Sequence, residues 1–387
     1  MRTIGTVVRG VRAPIIREGD NIAEVAAASV MEAWKEAGIE PRDRDVVAVT
    51  ESVVARAQGN YATLDQIAKD VREKTGGGTV GVAFPILSRN RFSLLLRGMA
   101  MGCKKIVLLL SYPSDEVGNG LVDWDKDVLT LEQFRKKFGA AVHPFTGVDY
   151  IDFYSGIITD AGAEVEVIFG NRVQTLCDYT DAVITCDIHT RARSKRLLKA
   201  SGARVVLGLD DLLNRSVDGS GYNAEYGLLG SNKATEETVK LFPRDCMAVA
   251  EELGERLSKA SGKHIEAMVY GDGAFKDPVG KIWELADPVV SPGYTKGLVG
   301  TPNELKLKYL ADNDFGDLKG EALKEAIEER IREKTSESLV GNMVSEGTTP
   351  RRLTDLIGSL CDLTSGSGDK GTPIVYIQGY FDNYSND

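Results

Sequence analysis

No run of about 18 apolar residues, the length a membrane-spanning helix needs, occurs in this chain of 387 residues. The longest candidate, Ile106–Leu110, is strand-sized. The opening MRTIGTVVRGVRAP sets Arg2, Arg9 and Arg12 among its valines and lacks a continuous apolar segment, so it reads as a first strand and not as a signal peptide. Cysteine is sparse and odd in number: Cys103, Cys177, Cys186, Cys246 and Cys361 are scattered and form no CxxC pair. That excludes a disulfide framework and a zinc ribbon, and the expected compartment is the cytoplasm. Histidine is scarcer still, at 3 residues, and no Ser-His-Asp order can be drawn. No GxxxxGK[ST] phosphate loop is present either. Excess positive charge is also missing. The net charge is −10, so neither nucleic acid nor an anionic membrane is expected as a partner, and an anionic substrate would require cations gathered locally.

What the chain has in plenty is glycine, 41 residues against a usual share of about 7%, much of it in short loops. At 42% apolar residues it can bury a sizeable core, and its length suits two average domains or one large one. Alternating or fully apolar segments predict strands at Thr3–Val11, Val46–Val49, Thr79–Phe84, Lys105–Leu110, Ala163–Phe169, Ala182–Cys186, Ala203–Leu207, Ile265–Tyr270 and Pro373–Gln378. Helical patterns lie between them. Ile22–Glu36 starts after Asp20 and closes at Gly38, and others span Thr63–Lys74, Asn90–Ala100, the charged Leu318–Glu333, and Pro350–Leu360 behind Thr349. This alternation predicts an α/β chain of layered sheets with flanking helices, a mixed α+β arrangement being the alternative. The polar, glycine-rich Asp218–Ser231 is the best junction, dividing the chain into 1–215 and 216–387.

Chemistry concentrates in loops that adjoin the predicted strands. Ser111–Gly120 (SYPSDEVGNG) offers Asp115, Glu116 and Asn119 after an apolar strand, where open α/β sheets bind ligands. Thr185–Arg193 (TCDIHTRAR) repeats that topology with Asp187, His189 and a basic patch of Arg191, Arg193, Lys195 and Arg196. Tyr270–Pro278 (YGDGAFKDP) sets Asp272 between glycines, with Lys276 and Asp277 close by, and Ser231–Asn232–Lys233 is a further polar turn. Thr50–Gly59 places Glu51 and Ser52 at a strand end with Arg56 one helical turn on. Before the last strand, Thr364–Pro373 has three glycines in six residues (Gly366, Gly368, Gly371), which permits positive φ and a nest of backbone N–H groups for phosphate oxygens; Asp369 could hold a metal. Each loop can also be read as a plain polar turn, and the arginines as a solvated helix face. Together they favour metal-assisted phosphoryl chemistry over covalent catalysis.

The segments VRAPIIREGDNI and VVAVTESVVARAQG, with the closing SGSGDKGTPIVYIQG, resemble the GTP-dependent coenzyme F-420-0:L-glutamate ligases, the gamma-glutamyl ligases. The likeness is carried by about residues 1–60 and 364–380 and less strongly by PSDEVGNG and VITCDIHTR. Residues 215–345 have no counterpart in the short members, which implies a longer branch. By position, the resemblance implies a guanine pocket lined by Ala13, Pro14, Ile15 and Ile16, followed by Glu51, Ser52 and Arg56, the last where the family has a phosphate-binding lysine. It implies a nucleotide contact at Asn119, further nucleotide contacts from Gly366, Ser367, Gly368 and Gly371, and metal-binding catalytic aspartates at Asp115 and Asp187. Ser367 replaces a metal-binding glutamate, which leaves Asp369 as the carboxylate of that loop, and Ile188 replaces a threonine.

The implied activity is an amide ligase of the homodimeric type. It would use GTP with Mg²⁺ or Mn²⁺, K⁺ being a candidate monovalent cofactor, to join L-glutamate to the F-420 precursor or a folate-like acceptor through an acyl phosphate. Two other readings stand beside it. One is a nucleotide-binding regulatory protein that lost turnover, which Ser367 and Ile188 would favour; the other is a different phosphotransferase built on the middle segment.

Overall fold

The computed structural model describes residues 3–89, 91–111, 115, 118–120, 136, 142–144, 146–271, 289–335, 344–345 and 352–385. In chain order the strand β1 (Val7–Val11) leads to helix α1 (Ile22–Ala37), β2 (Val46–Thr50), α2 (Glu51–Ala57), β3 (Tyr61–Thr63) and α3 (Leu64–Thr75). Then come β4 (Thr79–Ala83), α4 (Phe92–Met101), β5 (Lys105–Leu110), α5 (Tyr150–Asp160), β6 (Glu164–Phe169), β7 (Ala182–Thr185), α6 (Arg191–Ala200) and β8 (Val205–Gly208). Two short strands, β9 (Asn232–Lys233) and β10 (Thr238–Lys240), precede α7 (Cys246–Ser261), β11 (Glu266–Tyr270), β12 (Gly293–Tyr294), α8 (Gly320–Glu333), α9 (Leu353–Thr364) and β13 (Ile374–Gln378). The chain is α/β, and among the described residues no helix is long and apolar enough to cross a membrane.

Local chemistry explains the helix starts. Asn21, not the expected Asp20, caps α1: its side chain accepts from Glu24 N at 3.1 Å, while Asp20 accepts from Arg17 N at 2.6 Å. At α3, Thr63 and Gln66 form a reciprocal capping box that satisfies two otherwise orphaned N–H groups. Thr349, Pro350, Asn90 and the loop residues Glu116, Asp272, Lys276 and Asp277 lie outside the described residues.

Two five-stranded sheets carry the architecture. The parallel sheet runs β6-β5-β4-β7-β8. Its first strand is central, and the chain builds outward on one side before crossing to the other. Both faces are covered, so side chains alternate between two cores. Ile106, Leu108 and Leu110 join Tyr154, Leu96 and Met99 on one face, and Val107 and Leu109 join Leu176 and Leu198 on the other. Asp115 follows β5 and Asp187 follows β7, so both leave the carboxyl edge of this sheet on strands that flank β4.

The second sheet is mixed, in the order β1-β13-β2-β11-β12, and takes strands from both sides of residue 215. Its last strand in sequence is hydrogen-bonded on both edges, antiparallel to β1 and to β2. Helices α1 and α7 cover one face through Trp34, Leu253 and Leu257, and α9 covers the other through Ile357 and Cys361. A three-stranded sheet, β3-β10-β9, joins Thr63 to Thr238 beside it. The Asp218–Ser231 segment is fastened to that region, with Gly221 N on Tyr61 O at 2.7 Å and Tyr222 N on Asn60 Oδ1 at 2.9 Å.

A buried carboxylate locks the mixed sheet. Asp45, 1% exposed, accepts the Tyr376 hydroxyl, Arg42 N at 2.8 Å and Gly379 N at 3.1 Å. Burial first, and the Asp45 carboxylate second, push the Tyr376 phenol far above its ordinary range, so it stays a donor. Replacing Asp45 with Ala should cost on the order of 3 kcal/mol in denaturant unfolding, because several buried donors lose their acceptor at once. A loss below about 0.5 kcal/mol would show that the lock contributes nothing to stability.

Candidate active site

Strand direction determines what meets at one edge of the mixed sheet. Strands β2 and β11 are parallel neighbours, so Thr50 and Tyr270 end side by side. Strand β13 runs the other way, so its beginning lies at the same edge, with Thr50 N bonded to Pro373 O at 3.0 Å. The loop just before β13 is therefore brought to the start of α2. A cavity of about 660 Å³ opens there, lined by Glu51, Ser52 and Arg56 from one side and Ser365, Gly366 and Ser367 from the other. Two segments some 300 residues apart in sequence, both expected in the site, thus share one cavity.

The cavity is cationic in an acidic protein. Arg56, Arg91, Lys233 and Lys240 line it against the carboxylates of Glu51 and Asp362. Lys240 is only 8% exposed, and its Nζ donates to Ser52 Oγ at 2.7 Å and sits 3.5 Å from Glu51 Oε1. Glu51 is 3% exposed, so the pair holds two desolvated charges at the wall of the cavity. Arg56 Nε donates to Ile16 O at 2.5 Å, and Ala13 N donates to Gly371 O at 3.3 Å, so the Ala13–Ile16 loop is tied to both halves of the cavity. The four residues of that loop do not line it: Pro14 and Ile15 are exposed, and Ile16 packs in the core under α1.

The glycine loop closes on itself, with Gly371 N on Gly368 O at 2.9 Å, Thr372 N on Gly366 O at 3.1 Å and Ser365 Oγ on Thr372 O at 2.6 Å. Of its three glycines only Gly371 has positive φ, at 64°. Gly10 on β1 permits the loop's close approach, since a Cβ there would lie 2.7 Å from Ser365 Oγ. Asp369 is exposed on the loop.

The two aspartates of the parallel sheet are buried and held by their own loops. Asp115 accepts Asn119 N at 2.7 Å, Asn119 Nδ2 at 3.1 Å and Leu87 N at 3.2 Å. Asn119 Oδ1 is buried with no partner among the described residues. Asp187 accepts hydroxyls from Thr185, from Thr190 at 2.6 Å and from Ser194 at 2.7 Å. Neither aspartate lines the 660 Å³ cavity, and the described residues contain no group of three or more His, Cys, Asp or Glu that could hold a metal.

Thiol nucleophiles are not on offer among the titrating cysteines. Burial raises Cys103 to about 11 and Cys246 to about 12, and lifts Cys177 and Cys361 as well, so these thiols stay protonated near pH 7. Lys240, Arg91, Tyr61 and Tyr270 are cavity residues outside the expected set. The signal for Lys240 was there: a lysine in the apolar stretch Val239–Phe242 needs a buried partner. Lys240→Met should lower stability by on the order of 3 kcal/mol by removing the cation beside buried Glu51, and adding Glu51→Gln should restore part of it. Simple additivity in thermal denaturation would show that the two charges do not depend on each other.

Comparison with known proteins adds the family. The curated proteins contain no match. Among solved structures, one likeness is to the crystal structure of the tetrameric eIF2B-beta2-delta2 complex from C. thermophilum, at 14% identity and a TM-score of 0.19, covering 32% of this chain and 31% of that one. A likeness so slight carries no argument. The family model for F420-0:gamma-glutamyl ligase matches residues 10–379, so it takes in both halves of the cavity and the long middle segment. The chain belongs to the F420-0:gamma-glutamyl ligase family, a family of acid–amino-acid ligases.

Proposed function

We propose that this chain joins L-glutamate to the carboxylate of a small acceptor of the F-420-precursor type, using GTP and a divalent cation. The observation that carries this reading is the cationic cavity in which Glu51, Ser52 and Arg56 face Ser365–Ser367. Its volume of about 660 Å³ is in the range that holds a nucleotide-sized ligand.

In the proposed reaction an acceptor carboxylate oxygen attacks the γ-phosphorus, and the bond to the β-γ bridging oxygen breaks, releasing GDP. The resulting acyl phosphate is attacked at carbon by the neutral glutamate amine. The C–O bond to phosphate breaks, the amine gives up one proton, and inorganic phosphate leaves with the amide formed. Such chemistry asks for position and charge neutralisation and needs no protein nucleophile. Arg56, Arg91, Lys233 and Lys240 would supply cationic contacts to the phosphates. By the family resemblance Asn119 would contact the nucleotide, from a loop that does not line this cavity. By the family resemblance Asp187 and Asp115, which leave the parallel sheet outside the lining of that cavity, would hold Mg²⁺ or Mn²⁺. Asp369 would be the further carboxylate of the glycine loop. When bound, the ion would offset triphosphate charge that the four side-chain cations, themselves partly offset by Glu51 and Asp362, balance only in part.

Incubation with GTP, Mg²⁺, L-glutamate and a metabolite extract should yield a product heavier by one glutamyl residue, with GDP and phosphate in equal amounts. Asp187→Asn should leave the fold intact and reduce turnover by at least a hundredfold, while Gly371→Val should weaken nucleotide binding by forcing a β-branched residue to positive φ. Saturable nucleotide binding without phosphate release would indicate a regulatory protein instead. ATP binding as tightly as GTP in calorimetry would overturn the guanine assignment.

A further inference from the structure

The small sheet β3-β10-β9 turns one face toward the cationic cavity. Lys240 on β10 stands directly across from Tyr61 on β3 and from Asn232 on β9, and all three line the cavity. Side chains alternate along a strand, so Thr238, two residues before Lys240, lines the cavity too. Val239 between them joins the apolar core with Ala62 on the other face. A row of hydrogen-bond donors with no carboxylate in it therefore forms one wall, and Lys240 stands at its centre.

Lys240 is not an open cation there. It is only 8% exposed, and its Nζ lies 3.5 Å from Glu51 Oε1, which offsets its charge. The same Nζ donates to Ser52 Oγ at 2.7 Å. An ammonium has donors and no acceptor, so Ser52 is the acceptor in that bond and its own hydrogen must lie on another side of Oγ. Among the described residues, that hydrogen has no acceptor. Ser52 is half-buried and lines the cavity. A hydroxyl fixed by a cation and left with one free donor is suited to an oxyanion, because hydrogen bonds to a charged acceptor are the stronger class.

We propose that Lys240 is a positioning residue that orients the Ser52 hydroxyl to donate to an oxyanion of the ligand, a phosphate or a substrate carboxylate oxygen. This role rests on the reading of the cavity as the ligase site, and it passes through Ser52 and not through the lysine's charge alone. The probes are inorganic tripolyphosphate with Mg²⁺, and L-glutamate added in their presence, each titrated calorimetrically into the full-length protein. Ser52→Ala should stay folded and weaken one of the two probes about tenfold, and Ser52→Thr, which keeps the hydroxyl, should recover most of that loss. Loss with tripolyphosphate alone assigns the hydroxyl to a phosphate, and loss with L-glutamate alone assigns it to a carboxylate. Lys240→Met combined with Glu51→Gln removes the ammonium without leaving its charged partner, and should weaken the same probe. Adding Ser52→Ala to that pair should then cost less than about threefold, since the hydroxyl has already lost its orientation. Undiminished binding by folded Ser52→Ala, or an equally large further loss when Ser52→Ala joins the pair, would overturn the proposal and leave the ligase reading standing. A wild-type protein that binds neither probe would overturn both.

Discussion

One strand holds the molecule's two ends together. Ile374–Gln378 is hydrogen-bonded along both edges, to β1 on one side and β2 on the other, with every one of its residues buried. Without it β1 has no partner, the Asp45 lock has no tyrosine, and the glycine loop has no fixed end. Because the strand is antiparallel to β2, its start must lie where β2 finishes. The cavity follows from that direction alone: a loop that ends at Pro373 cannot avoid the first turn of α2.

Charge is distributed with the same economy. A chain of net charge −10 repels an anionic substrate at long range, so attraction has to be local and partly desolvated. Lys240 is held at the cavity wall against Glu51 and Ser52, where charges interact more strongly than in water. Elsewhere in the chain, burial pushes the Cys246 and Cys361 thiols up.

Much of the architecture was legible because strands buried on both faces are unmistakably apolar. Val46–Thr50 and Lys105–Leu110 were found almost to the residue. The small sheet was not, because strands of two or three residues carry no readable alternation and pair Thr63 with Thr238 across the chain. Helix Cys246–Ser261 also escaped, since Asp245 before it takes a left-handed conformation and offers no side-chain cap. The Glu51 and Ser367 segments, singled out separately in the sequence, line one cavity, while Lys240 was missed because its partner lies far off in sequence. Positive φ, which the composition of the glycine loop allowed at three positions, is used at Gly371 alone.

The central claim is that the start of α2 and the glycine loop form one ligand site. Hydrogen exchange measured by mass spectrometry, with and without a non-hydrolysable GTP analogue and Mg²⁺, addresses it most directly. The account predicts that peptides covering residues 50–58 and 366–372 gain protection together, at the same analogue concentration. Protection confined to the loops after β5 and β7, with both of those peptides unchanged, would contradict it.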